Sequence, residues 1–128
     1  MSDTLSVELP LKPESASWAR EALAEFRGYL DRASYIDVQL MLSELVSDAV
    51  LTNSDDGHAI TVQIEVRLDR LHLSVLEGNF AYELSSSRPD AGERGWGIYL
   101  TRTLAEWWGT RHEDGRACVW FQMPIAAT

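Results

Sequence analysis

The sequence predicts an α/β fold, a two-layer sandwich in which three helices lie on one face of a mixed, mostly antiparallel sheet. Two observations lead to this prediction. Segments with strand-like alternation and segments with helix-like spacing of apolar residues follow one another as strand, helix, helix, two strands, helix, two strands. The size agrees, since 128 residues with 45% hydrophobic content suit one domain, residues 1–128, around a single core.

The first strand and the first two helices occupy residues 5–51. Residues 5–11 alternate apolar and polar side chains and end between Pro10 and Pro13, which predicts a strand. Apolar residues three and four apart then predict helices over residues 16–32 and 35–51. The second helix has a clear core stripe, formed by Val38, Met41, Leu42, Leu45 and Ala49.

A β-hairpin is predicted after the second helix. Residues 59–68 alternate, with Ile60, Val62 and Ile64 on one face, and residues 71–77 return as the antiparallel partner. The stretch 78–95 is polar and long for a connection in a compact domain, which indicates a functional or mobile segment. We expect residues 79–94 to form a mobile lid, because they have few apolar anchors.

The last part of the chain predicts one more helix and a closing hairpin. The helix covers residues 96–108, with Gly109 as its C-cap. The hairpin covers residues 110–124, with Asp114 and Gly115 at its turn.

Charge and composition exclude several classes of protein. The net charge of −9 argues against direct binding of nucleic acid, which needs clustered Lys and Arg. The single cysteine, Cys118, allows no intramolecular disulfide, and the lack of a disulfide suits a reducing cytoplasm. We interpret Cys118 as a buried thiol on a strand. No apolar run approaches the length of a membrane span or a signal core, so we expect a cytoplasmic protein without a membrane partner.

The stretch SELVSDAV places two carboxylates, Glu44 and Asp48, four residues apart on a predicted helix. Like charges at this spacing face each other and repel by roughly 0.2–0.5 kcal/mol. Three arrangements are open: the carboxylates are solvated, each pairs with an arginine, or they share a cation. The third is of interest because carboxylates, waters and a polyphosphate make a typical Mg²⁺ site.

Two glycines, Gly95 and Gly97, flank Trp96 where the long loop meets the third predicted helix. Glycine allows the backbone to approach a ligand closely, and a helix N-terminus offers free N–H groups to phosphate. The combination of loop, glycines and helix indicates a candidate phosphate site.

Four blocks together resemble a known family: SELVSDAV, LHLSVLEGN, ERGWGIYLTRTLAEWWG and GRACVWFQMP. Their order and spacing are similar to those of the anti-sigma-factor serine-protein kinases, above all the actinobacterial members, from about residue 15 to residue 124. These kinases have the ATP-binding fold shared with histidine kinases, gyrase B and Hsp90. The resemblance implies ATP and Mg²⁺ as cofactors and a role in transcription regulation. The implied partners are a sigma factor, a STAS-domain anti-anti-sigma protein, or both, and a second copy of the chain, since the family commonly forms dimers.

The resemblance also assigns roles to individual residues. The catalytic Glu of the family matches Glu44, and the Mg²⁺-binding Asn position holds Asp48. The position of the Asp that recognises the adenine amino group holds Glu77.

The remaining family positions concern the adenine pocket and the lid. The glycines after the adenine-binding Asp are replaced here by Asn79 and Ala81, whereas the lid glycines match Gly95 and Gly97. The late-strand Thr that helps to hold adenine corresponds to Cys118.

The departures from the family pattern predict weakened or lost ATP binding. Asp48 adds negative charge beside the phosphates, Glu77 is one methylene longer than Asp, and Cys118 is a poorer hydrogen-bond donor than Thr. The first hypothesis is therefore a regulator that acts by partner switching with a degenerate ATP site. The second is an active ATP- and Mg²⁺-dependent serine-protein kinase with Glu44 as the base. The third is an unrelated small α/β binding module whose two acids are merely solvated.

Overall fold

The computed structural model describes residues 4–53, 59–78, 88–93 and 95–126. The described residues form five strands in the order β1-β2-β3-β5-β4, with every pairing antiparallel, and three helices. The α/β fold is confirmed, and the sheet is antiparallel throughout where a mixed sheet was expected. The elements are β1 Thr4–Leu9, α1 Ser15–Ala24, α2 Arg32–Thr52, β2 Ile60–Arg67, β3 Arg70–Glu77, α3 Trp96–Leu104, β4 Trp107–Glu113 and β5 Arg116–Pro124.

The core lies between the helices and one face of the sheet, here called the core face. Strand residues that are register partners share a face, and alternate residues supply it. One continuous apolar cluster joins these strand positions to all three helices, so the helices lie on one face as predicted. Its members include Leu23 of α1, Leu45 of α2, Ile98 of α3 and the strand residues Val62, Val75, Val119 and Phe121.

Both predicted hairpins are confirmed. Strands β2 and β3 pair from Thr61–Leu76 to Arg67–Arg70. Strands β4 and β5 are joined by Asp114 and Gly115, whose φ angles of 52° and 75° are both positive. That conformation is the type I′ turn that suits the twist of an antiparallel pair.

The end of the third helix was predicted wrongly. Helix α3 ends at Leu104 with Ala105 as its C-cap, and both Trp107 and Trp108 belong to β4. In a strand the two indoles point to opposite faces: Trp108 packs against the core, while the Trp107 ring lies 3.5 Å from the Arg70 guanidinium carbon. Gly109 is therefore a strand residue, at which a Cβ would lie 2.8 Å from the Trp120 indole.

The boundaries of the earlier elements also differ from the prediction. Helix α1 ends at Ala24 and gives way to a short 3₁₀ turn at Arg27–Tyr29 instead of continuing to residue 32. Helix α2 begins at Arg32 because the carboxylate of Asp31 accepts the Ser34 N–H at 2.8 Å and caps it. Strand β1 stops at Leu9, before the first proline.

The lid prediction lies largely outside the described residues, which omit 79–87 and 94. Residues 88–93 contact the start of α3, where the Trp96 indole N–H donates to the carbonyl of Asp90 at 3.1 Å. No helix in the described part of the chain is both long and apolar enough to cross a bilayer.

The other face of the sheet, here called the outer face, carries a buried imidazole. His72 is 3% exposed, with Nδ1 3.0 Å from the Gln122 amide nitrogen and Nε2 3.1 Å from the Ser74 hydroxyl. The amide donates to Nδ1, so the neutral imidazole carries its hydrogen on Nε2. Burial lowers the pKa of His72 to about 4, helped by the positive charges of Arg67 and Arg111 and opposed by Glu65.

The lowered pKa of His72 predicts acid-sensitive stability. The unfolded chain binds a proton at this imidazole near pH 6.5 and the folded protein only near pH 4. The free energy of unfolding should therefore fall as the pH drops from about 6.5 to 4, by on the order of 1–3 kcal/mol. Urea unfolding across this range measures it. His72→Gln should flatten the slope, whereas the control His112→Gln, which removes an exposed imidazole, should retain it.

Helices α2 and α3 approach each other closely at Gly97. A Cβ built on Gly97 would lie 2.7 Å from the Cα and 2.8 Å from the backbone nitrogen of Leu45. Backbone atoms cannot rotate away as a flexible side chain can, so only hydrogen fits at this position. The close approach brings the first turn of α3 against the middle of α2.

Gly97→Ala should therefore destabilise the protein. Alanine favours helix by about 1 kcal/mol over glycine, but overpacking against backbone costs typically 1–3 kcal/mol and forces the helices apart. We expect a net loss in the free energy of unfolding, measured in urea. Gly28→Ala is the matched control, because a Cβ there meets nothing within 4 Å. Equal stability of Gly97→Ala and wild type would contradict the packing argument.

Candidate functional site

Asp48 lies at the contact between α2 and α3. Its side chain is 3% exposed, and Oδ2 accepts the backbone N–H of Gly97 at 2.9 Å. Helix α3 has Gly95 as its N-cap, with φ of 100° and no side-chain cap, so its first N–H groups need an acceptor from elsewhere. Asp48 supplies that acceptor and places a negative charge at the positive end of the helix. The carboxylate is thus buried and engaged, so of the three arrangements left open by the sequence, solvation does not apply to Asp48.

Glu44 occupies the preceding turn of α2 and is only half-buried. Within the described residues its carboxylate makes no hydrogen bond or ion pair. Thr52, one turn after Asp48, has a buried hydroxyl with no hydrogen-bond partner in the described part of the chain. Residues four apart share a helix face, so these three polar side chains lie along one side of α2. Glu44 is half-buried without a partner among the described residues, Asp48 is buried and hydrogen-bonded, and Thr52 has a buried hydroxyl without a partner among the described residues.

Glu77 lies at the end of β3 and is 1% exposed. Its Oε1 accepts from the Asn53 amide at 3.1 Å. Asn53 is the C-cap of α2 and donates from the same amide to the carbonyl of Ala49 at 2.9 Å. Sequence reasoning missed Asn53 as a site residue. The available signal was its place in a run of turn formers directly after the helix that carries Glu44 and Asp48.

Cys118 lies on the outer face, away from the other candidate residues. Its register partner is Leu76, whereas the partner of Glu77 is Ala117, one residue earlier. A one-residue offset in a strand moves a side chain to the opposite face. Cys118 is a free, fully buried thiol as interpreted from the sequence, and burial raises its pKa. The structure brings Ala117 to the core face beside Glu77 and does not bring Cys118 there.

Of the four positions at which the family pattern has glycine, two lie within the described residues. Gly95 and Gly97 lie where the sequence placed them, at the start of α3, and both are buried. Their observed roles are a left-handed N-cap and a close helix contact. Asn79 and Ala81 lie outside the described residues.

The donor set fits Mg²⁺ and ATP poorly. The carboxylate of Asp48 already accepts a backbone N–H of α3, and the carboxylate of Glu77 already accepts the Asn53 amide. Among the described residues no group of three or more His, Cys, Asp or Glu side chains is placed to hold a metal ion. Each of these carboxylates is thus held in place by a donor within the chain, and a nucleotide would have to share it with that donor.

Comparison with known proteins connects this geometry to a family. The profile of the histidine kinase-like ATPase domain matches residues 9–123. A serine-protein kinase RsbW from Listeria monocytogenes serotype 4a is 26% identical over 126 residues, 83% of this chain and 78% of the relative. An RsbW from Listeria innocua is 25% identical over the same shares of the two chains.

A solved structure shows the same fold. The RsbU and RsbW domains of a Mycobacterium tuberculosis protein match 99% of this chain with a TM-score of 0.75 and 18% identity. This chain spans 34%, about a third, of that longer chain. The hypothesis of an unrelated α/β module is therefore wrong, and the chain belongs to the histidine kinase-like ATPase domain family, with RsbW serine-protein kinases among its relatives.

Proposed function

We propose that the chain is an anti-sigma-type regulator that acts by partner switching, binding a sigma factor or a STAS-domain antagonist, with a weak or lost site for Mg²⁺-ATP. The observation that carries the proposal is the buried hydrogen bond from Gly97 to Asp48. The similarity to RsbW kinases supports the regulatory role, and the state of the site supports the loss of nucleotide binding.

The bond between Asp48 and Gly97 opposes phosphate binding in two ways. The N–H that a phosphate would accept at the start of α3 is already donated to a carboxylate. Displacing it costs about 1.5–3 kcal/mol, as for hydrogen bonds to charged groups. The displaced carboxylate would also remain next to the phosphate oxygens with the same sign of charge. A neutral amide at this position avoids both penalties.

The adenine end of the pocket presents a second, similar obstacle. Glu77 must accept an N–H of the base if it acts as the family Asp does, but it already accepts from Asn53. Asn53 in turn caps α2, so its amide cannot move without disturbing the helix end. Both carboxylates that the family pattern assigns to the nucleotide therefore already accept a hydrogen bond from within the chain.

One observation favours the alternative of an active serine-protein kinase. Glu44 is half-buried and has no partner within the described residues, so the carboxylate at the family's catalytic position is available. In that case Glu44 acts as the base and Asp48 releases Gly97 to ligate Mg²⁺. Phosphate transfer from labelled ATP to a purified STAS-domain protein, abolished by Glu44→Gln, would establish this alternative.

The nucleotide site can be tested by calorimetry. Wild type should bind Mg²⁺-ATP weakly or not at all, with Kd above about 1 mM. Asp48→Asn combined with Glu77→Asp should tighten binding by on the order of 1–3 kcal/mol, because an amide removes the charge and a shorter acid frees room for the base.

The matched control is Asp37→Asn, which removes a carboxylate from α2 outside the pocket. It should leave nucleotide binding at the wild-type level. Micromolar binding by wild type, or weaker binding by the double variant, would favour the active kinase.

Partner binding provides an independent test of the regulatory role. Purified sigma factors and STAS-domain proteins from the source genome should be titrated against the chain with and without Mg²⁺-ATP. We expect at least one of them to bind, with an affinity that the nucleotide leaves unchanged because the site does not take it up. Binding of none of them would contradict the regulatory role whatever the state of the nucleotide site.

A further inference from the structure

A surface cleft lies where the 3₁₀ turn after α1 meets the first two turns of α2. It has a volume of about 410 Å³ and is lined by Arg27, Arg32, Tyr35, Ile36 and Gln39. The other three α2 residues lie on the same side of the helix as Arg32, because they follow it by three, four and seven residues. Gln39, the lining residue nearest to Asp48 in sequence, is roughly 14 Å and about two and a half turns before it along α2, on the opposite side of the helix. The cleft is therefore separate from Asp48.

The apolar part of the cleft continues along the surface of α2. Tyr35 is 7% exposed and forms the inner wall, while Ile36 is 52% exposed. Leu40, one turn after Ile36, is 43% exposed. Exposed apolar side chains at this spacing on one helix face are typical of a surface that a partner covers.

The charged part of the cleft is positive in an acidic protein. The Arg27 guanidinium lies over the Tyr35 ring, 4.8 Å from its centroid, which holds it at the rim. Within the described residues neither Arg27 nor Arg32 forms an ion pair. The neighbouring carboxylate of Asp31 is engaged with the Ser34 N–H and does not line the cleft.

We propose that this cleft docks an acidic segment of a protein partner. One apolar side chain of the segment packs on Tyr35 and Ile36, and flanking carboxylates pair with Arg27 and Arg32. Arginine suits this role because its planar guanidinium binds a carboxylate through two hydrogen bonds. The net charge of −9 repels an acidic segment from most of the surface, which directs it to the cleft. The inference rests on the proposed function only for the existence of a protein partner.

The proposal can be tested on the full chain by NMR. The probe is a short helical peptide with one Leu flanked by Glu residues three and four positions away. Titration into ¹⁵N-labelled protein should shift the amide signals of residues 27–40 and leave those around Asp48 and Gly97 unchanged. The same peptide with Lys in place of Glu should cause no shifts. Absence of shifts with the acidic peptide, or shifts that spread over the whole surface, would overturn the proposal.

Charge-reversal variants separate docking at the cleft from general charge attraction. Arg27→Glu with Arg32→Glu should weaken peptide binding by at least about tenfold, as expected for the loss of two charge-assisted pairs. Lys12→Glu with Arg88→Glu changes the net charge equally at other exposed positions and should stay within about twofold of wild type. Equal weakening in both variants would overturn the proposal. All four substituted residues are exposed, and circular dichroism checks that each variant folds.

Three measurements define the occupant of the cleft and separate this proposal from the proposed function. Ile36→Ala should also weaken peptide binding if an apolar side chain enters the cleft. Inorganic polyphosphate that competes with the peptide and shifts the same signals with higher affinity would assign the cleft to phosphate and overturn the proposal. Tight Mg²⁺-ATP binding by wild type would contradict the proposed loss of nucleotide binding while leaving the peptide result intact, so the two failures are distinguishable.

Discussion

The hydrogen bond between the Asp48 carboxylate and the Gly97 N–H is the contact on which the candidate site depends. Helix α3 begins at a left-handed glycine without a side-chain cap, so its first turn needs an acceptor. Asp48 is buried, so its charge needs a donor. The absence of a side chain at Gly97 lets the two helices approach closely enough for both needs to be met. The same bond engages one of the N–H groups at the start of α3 that could otherwise donate to a phosphate.

Helix α2 carries buried polar groups near one end and exposed apolar and basic side chains near the other. In its C-terminal half Asp48 accepts from Gly97, and its C-cap Asn53 donates to Glu77 of β3. The buried Thr52 hydroxyl of the same half has no hydrogen-bond partner among the described residues. Its N-terminal turns carry exposed apolar and basic side chains around the cleft at Tyr35. The separation along one rigid helix allows the two regions to change independently.

The periodicity of the sequence predicted the layers, the element order and both hairpins, because burial of one strand face and one helix stripe leaves a repeat of two or of three to four residues. The errors occurred where local pattern and tertiary contact compete. Trp107 and Trp108 extend a helical pattern but belong to β4, since pairing with β5 satisfies their backbone groups and places one indole on each face. The end of α1 was missed because the 3₁₀ turn at Arg27–Tyr29 keeps a similar apolar spacing.

The sequence alone determined that Glu44 and Asp48 share a helix face, that glycines precede the third helix, and that the chain departs from the pattern of the kinases it resembles. Only the tertiary structure decided what each group does, because a partner distant in sequence leaves no local signal. The donor to Asp48 is 49 residues away in the chain, and the Asn53 amide reaches Glu77 across 24 residues. The face on which Cys118 lies depends on a register that a shift of one residue would reverse, and the pairing of β5 with β3 sets that register.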